Sequence, residues 1–300
     1  MTPSQRWLRP LCRHLPPSLA YRLYYGFIAG AEGSPDRFEG SRAMIGNARL
    51  SSSVEDVVDL LFAYHGCSEW LGMTLCRLLT RPGQVIFEIG ANLGTDTMNL
   101  AGIVGPAGRV VSVEPSPACF AKLCERVAQN RLSQVTALQN AVAEAPARFS
   151  LQFGPTSNSG MAYLDPSTAD GEAVEATTIA ALAEAHGAPN FIWMDIEGFE
   201  LRALRGGSSV LRTTRPFVYT EVDRGHLERA GDSLDAFEAF VTEHGYQAVD
   251  PTNWRLPLLR NNHAEPGYYH ANWLLIPKEK LDVLPQIRLK YLAARLLPRL

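Results

Sequence analysis

Acidic residues recur at the ends of apolar runs, and their spacing is that of groups that do chemistry. Glu88 stands two residues before Gly90, and Gly94 follows four later, in FEIGANLGTDT (87–97). Glu114 closes RVVSVE (109–114), and Asp195, Glu197 and Glu200 lie together in WMDIEGFE (193–200). Glu221 ends another apolar run, and His226 follows in EVDRGHLERA. Carboxylates hold cations, accept hydrogen bonds from hydroxyls and remove protons. A glycine turn between a strand and a helix offers backbone amides to a small ligand.

Three ligands compete for the turn at Gly90–Gly94. A phosphate-binding P-loop needs a lysine after its second glycine. Here Thr95 follows Gly94, and neither Lys nor Arg occurs between Arg81 and Arg109. The dinucleotide fingerprint G-x-G-x-x-G needs glycine at the positions of Asn92 and Thr95. The E/D-x-G-x-x-x-G pattern of S-adenosylmethionine sites is met by Glu88, Gly90 and Gly94. That ligand carries no phosphate but has a carboxylate, an ammonium and a sulfonium. Amides of the loop Gly90–Gly94, with Ala91 and Asn92, and of the helix start near Thr95 then serve the carboxylate, while Glu88 orients the ammonium through water. Glu114, followed by Pro115, accepts from the two ribose hydroxyls, and Asn140, with Ala141 after it, meets the adenine edge. A nicotinamide oxidoreductase is the alternative, along with a binding module that has lost turnover.

Methyl transfer to a hydroxyl is an in-line displacement. Alignment supplies most of the rate, and a general base helps a poor nucleophile. Asp195 at the tip of its strand is the first candidate base, facing both ligand and acceptor. Glu197, Glu221 and His226 are the next candidates. Clustered carboxylates also suit Mg²⁺, so base and metal ligand stay open as alternatives. Glu200 sits where a helix begins and favours that dipole.

These groups need a frame. From Val85 onward, seven β-rich runs begin near 85, 109, 135, 190, 216, 246 and 268, most of them separated by helical stretches. That alternation predicts a doubly wound, mostly parallel seven-stranded α/β sheet. The last two runs follow one another without a helix and predict an antiparallel edge strand. Residues 1–80 read as an N-terminal helical extension or lid, with a loop-rich connector at 30–53. Residues 81–278 form the ligand-binding domain, and 279–300 a basic amphipathic C-terminal helix. The segment 150–175, rich in Gly, Ser and Pro, is expected to arch over the site. Residues 252–268, with Trp254, His263 and Tyr268, are expected to form its other wall.

The bulk properties set limits. The 300 residues carry a net charge of -3 and a mean hydropathy of -0.08, so no global field draws nucleic acid. Five cysteines show no C-x-x-C pair and no zinc spacing, which predicts idle thiols in a reducing, cytoplasmic setting. Four lysines against 24 arginines reflect composition bias. Residues 1–30 hold Arg6, Arg9, Arg13 and Arg22 and no acid before Glu32; residues 283–300 hold Arg288, Lys290, Arg295 and Arg299 and no acid. The first reading of both ends is helices docked on the core. The second is peripheral contact with an anionic membrane or a lipid-linked substrate.

Together these pieces resemble the FkbM family of S-adenosylmethionine-dependent methyltransferases. The resemblance rests on FEIGANLG, GRVVSVEPSP, NAVAE, MDIEGFELRALRGG, RPFVYTEV and NWLLIP, in that order. It spans residues 83–278 and implies a Rossmann-like fold. It also implies O-methylation of a hydroxyl on a saccharide or secondary metabolite, with a small-molecule or glycan acceptor. The chain departs from the family pattern at Thr95-Asp96 and at Trp193-Met194.

Overall fold

The computed structural model describes residues 2–28, 36–154, 158–166, 170–251 and 269–296. The N-terminal layer contains α1 (Pro3–His14), α2 (Pro17–Phe27), β1 (Arg37–Arg42), β2 (Arg49–Ser53), α3 (Val57–His65) and α4 (Trp70–Leu79). Three of its helices are capped by side chains: Thr2 accepts from Gln5 N, Asp56 from Val58 N and Asp59 N, and Glu69 from Leu71 N and Gly72 N. The 30–53 stretch differs from the expected connector, because β1 and β2 pair antiparallel there. Their strands are mostly polar and bury little beyond Phe38, Ser41, Leu50 and Ser52, so alternation of apolar residues gave no signal.

The α/β body follows in sequence as β3 (Val85–Ile89), α5 (Thr95–Val104), β4 (Arg109–Val113), α6 (Pro117–Gln129) and β5 (Val135–Leu138). An arch of four short strands comes next: β6 (Ala141–Val142), β7 (Ala147–Gln152), β8 (Tyr163–Asp165) and β9 (Glu172–Thr177). The body resumes with α7 (Ile179–His186), β10 (Phe191–Met194), α8 (Glu200–Arg205), α9 (Ser208–Thr213), β11 (Phe217–Asp223), α10 (Arg224–Arg229) and α11 (Leu234–Glu243). It ends with β12 (Tyr246–Val249), β13 (His270–Pro277) and α12 (Leu284–Leu296).

The main sheet has seven strands in the order β12-β13-β11-β10-β3-β4-β5. The run from β11 to β5 is parallel, and β13 is antiparallel to both its neighbours. The antiparallel strand therefore lies one place in from the edge, where β12 closes the sheet. Both faces are buried, as parallel sheets require. Phe87, Ile89, Val111 and Val113 pack on one side; Ile86, Val110, Phe191 and Trp193 pack on the other. The arch forms its own sheet, in the order β6-β9-β7-β8, where irregular chain was expected.

The extension is fastened to the body by a buried ion pair. Arg126 of α6 donates to both oxygens of Asp59 of α3, each at 2.7 Å. Arg126 also reaches Leu93 O, behind the glycine turn (2.8 Å). None of the five cysteines forms a disulfide among the described residues.

Candidate functional site

β3 and β10 are neighbours whose following helices cover opposite faces, so a crevice opens at their carboxyl ends. The glycine turn after β3 and the acidic loop after β10 meet there. Gly90 has φ +88°, and a Cβ on it would collide with the carbonyl of Asp195, so only glycine lets these two loops touch. The cleft between them is lined by Glu88, Gly90, Ala91, Asn92, Glu114, Pro115, Asn140, Ala141, Asp195 and Glu197, all named from the sequence. Gly94, Glu221 and His226 stand outside the lining. Gly94 starts α5 and packs against Leu123.

The expected amide donors divide into two groups. The amides of Gly90 and Ala91 donate to Val113 O (2.9 and 3.0 Å), and Asn92 N donates to Glu114 Oε2 (2.7 Å). The turn consumes its own donors to hold its shape, so these three amides do not serve a ligand carboxylate. The first-turn amides of α5, which have no intrahelical partners, remain for that task.

Glu88 shares strand parity with Ile86 and is buried. Thr97 Oγ1 and Ser112 Oγ both donate to its Oε2 at 2.6 Å. Its Oε1 is buried without a hydrogen-bond partner, as is Asn92 Oδ1. Two orphaned acceptors in residues lining one cleft mark a place for donors on a ligand. Burial raises the Glu88 pKa to about 8 and the Glu114 pKa to about 7. Glu114 accepts from Asn92 N and Ser116 N, one on each oxygen. Each oxygen keeps a second lone pair.

Asp195 is densely surrounded by protein, yet it is exposed at the residue level and lines the cleft. Enclosure, followed by the charges of Glu221, Glu197 and Glu200, raises its pKa well above the ordinary value. Glu197 has φ +54°, an uncommon conformation for a residue with a side chain. Its backbone is held by Arg229, which donates to Glu197 O (2.7 Å). Gly198 turns at φ +113° against the His226 carbonyl, where a Cβ would collide. Glu200 is buried and accepts from Ile196 N and Gly198 N, both at 3.0 Å. It therefore pins the loop that presents Asp195, beyond any role with the helix dipole.

His226 Nδ1 lies 2.9 Å from Glu197 Oε2 and 3.7 Å from Glu221 Oε2. The short contact is poorly aligned, so it is an ion pair rather than a hydrogen bond. Glu197, then Glu221, push the imidazole pKa up to about 10. At neutral pH His226 is a cation and cannot take a proton. Glu197, Glu221 and His226 place three ligand atoms within 4.8 Å of one another. Mg²⁺ wants about six oxygens in octahedral array, and this cluster offers two carboxylates and a nitrogen, so it does not fit.

Several lining residues were not singled out from the sequence. Ser68 donates through its hydroxyl to Asp96, and its amide donates to the same carboxylate (3.3 Å). Burial raises the Asp96 pKa to about 6. Val58 and Ser159 also line the cleft, and Ser159 N donates to the α3 cap Asp56 (2.8 Å). The described residues of the 150–175 segment thus reach the site, as expected. Asp96 was visible as a departure from the family pattern; Ser68 and Val58 lie in a distant segment with no motif. The expected wall at 252–268 lies outside the described residues. Among the described lining residues there are five carboxylates (Glu88, Asp96, Glu114, Asp195, Glu197) and no Lys, Arg or His.

Residues 88–248 match the family model described as the methyltransferase FkbM domain. No curated protein matches the chain significantly. Among solved structures, a methyltransferase FkbM from Methylobacillus flagellatus KT is 19% identical, with a TM-score of 0.42 over 72% of this chain and 52% of that one. This chain thus spans about half the length of that relative. An rRNA-methylase-like protein from Clostridium thermocellum is 13% identical, with a TM-score of 0.42 over 69% of this chain and 94% of that one. Fibrillarin from Aeropyrum pernix, in complex with natively bound S-adenosyl-L-methionine, is 13% identical, with a TM-score of 0.37 over 69% of this chain and 74% of that one.

Proposed function

This chain belongs to the FkbM methyltransferase family, and from that premise we propose that it uses S-adenosylmethionine to methylate a hydroxyl of a saccharide or secondary metabolite. The observation that carries the donor assignment is the charge of the cleft. Five acidic side chains without a basic one offer acceptors to an ammonium and a sulfonium and no cation to a pyrophosphate. The nicotinamide alternative fails on that charge and on the family.

Glu88 Oε1 and Asn92 Oδ1 are the acceptors for donors on the amino-acid end. Glu114 offers its remaining lone pairs to the ribose hydroxyls, and Asn140, whose Nδ2 already donates to Glu175 O (3.3 Å), stands at the adenine end. When bound, S-adenosylmethionine supplies an electrophilic methyl carbon. Asp195 would face the acceptor hydroxyl and take up its proton. Enclosure and the neighbouring carboxylates raise its pKa, which makes it a stronger proton acceptor. His226, as an imidazolium, holds Glu197 and Glu221 in place beside Asp195. Isothermal calorimetry tests the assignment: S-adenosylmethionine binds and NAD does not. Binding of NAD alone overturns it.

A further inference from the structure

The two ends of the chain converge. Tyr21 of α2 lies against Trp70 of α4 (6.3 Å between ring centroids), and Trp70 stacks on Tyr291 of α12 (5.6 Å, 9° between planes). Gln5 of α1 donates to Phe27 O (3.1 Å), so α1 and α2 run antiparallel as a hairpin. Helices from opposite ends of the chain thus form one layer beside α3 and α4.

This layer has an unusual surface. Neither 2–28 nor 284–296 contains an acid. Arg22, Arg288 and Lys290 are exposed and have no acidic partner among the described residues; Arg6 is paired with Asp36. Among the described residues, nine large apolar side chains stand exposed, and seven of them are on these three helices. Trp7 (79% exposed) and Leu11 lie one turn apart on α1; Leu289 (71% exposed) and Leu292 do so on α12. Leu19, Tyr25 and Phe27 of α2 complete the set. No helix among the described residues is long and apolar enough to cross a membrane.

We propose that this face docks on the surface of an anionic lipid bilayer. Cations without partners favour anionic headgroups, and exposed leucines gain by entering the acyl boundary. Nucleic acid would satisfy the cations and stack on Trp7 or Tyr25 but offers nothing to four leucines. A second copy would bring one acid-free face against another, where like charges repel. The inference stands apart from the methyl-donor assignment.

Full-length protein is floated with vesicles of phosphatidylcholine, with or without phosphatidylglycerol. It rises with the anionic vesicles and far less with the neutral ones. The triple variant Arg22→Glu, Arg288→Glu, Lys290→Glu loses at least about tenfold in partitioning. Trp7→Ser with Leu289→Ser also lowers it, and both variants retain unaltered circular dichroism and thermal unfolding. The proposal is overturned if the wild type floats with neither vesicle, if both variants float like wild type, or if these substitutions disrupt only RNA binding or a dimer.

Discussion

At the scale of single residues, the site divides into groups that touch ligand and groups that hold them. Asp195 belongs to the first. Asp195→Asn should slow turnover by about 10²–10⁴-fold while leaving S-adenosylmethionine affinity nearly unchanged, since only proton removal is lost. Single-turnover rates set beside calorimetric affinities separate the two effects; equal losses would remove the base assignment. Glu114→Ala should weaken donor binding by about 1.5–3 kcal/mol through lost charged hydrogen bonds. Unchanged affinity in calorimetry would refute the ribose role. Glu88, Gly90, Glu114 and Asp195 were legible in the sequence because strand, turn and acid are contiguous there. Ser68 was not, because its partner Asp96 is 28 residues away and neither residue type is distinctive. The pairing of His226 was equally hidden, since it needs Glu197, in the loop after β10, and Glu221, on β11, to lie beside it.

At the scale of elements, the body could be read and its attachments could not. Strands β3, β4, β10 and β11 are continuous apolar runs flanked by turns, and their sequences announce them. The β1–β2 hairpin and the arch are short and half-polar, and tertiary contacts rather than pattern fix them. The position of β13 between β11 and β12 was also out of reach, because order within a sheet is not written in periodicity. What holds the extension to the body is the Asp59–Arg126 pair, with both side chains almost fully buried. Asp59→Ala leaves the guanidinium buried and unpaired and should cost about 3–5 kcal/mol in urea unfolding. It also removes an acceptor from Ser53 N, so β2 should loosen first, visible as early amide exchange.

At the scale of the whole molecule, charge sets the response to pH. Burial lifts Glu88 to about 8 and Glu114 and Glu200 to about 7, all above the ordinary 4.5. Between those limits the folded chain binds more protons than the unfolded one, so stability falls as pH rises. His226 acts in the same direction: its stabilisation is complete below its ordinary 6.5 and is lost as pH rises through about 10. The melting temperature of the ligand-free protein should therefore decline from pH 5 to pH 9, and the increment given by S-adenosylmethionine should grow over the pH 5 to 8 part of that range. A ligand-free melting temperature that rises with pH would contradict the protonation states assigned here.

The seating of β13 also bears on how the protein is made. Synthesis delivers β11 and β12 first, and neither gains its β13 partner until His270–Pro277 has left the ribosome. In that interval β11 shows a bare edge to the cell, the kind of surface that invites misassembly or chaperone capture. A late-arriving strand thus completes the sheet as a keystone completes a vault.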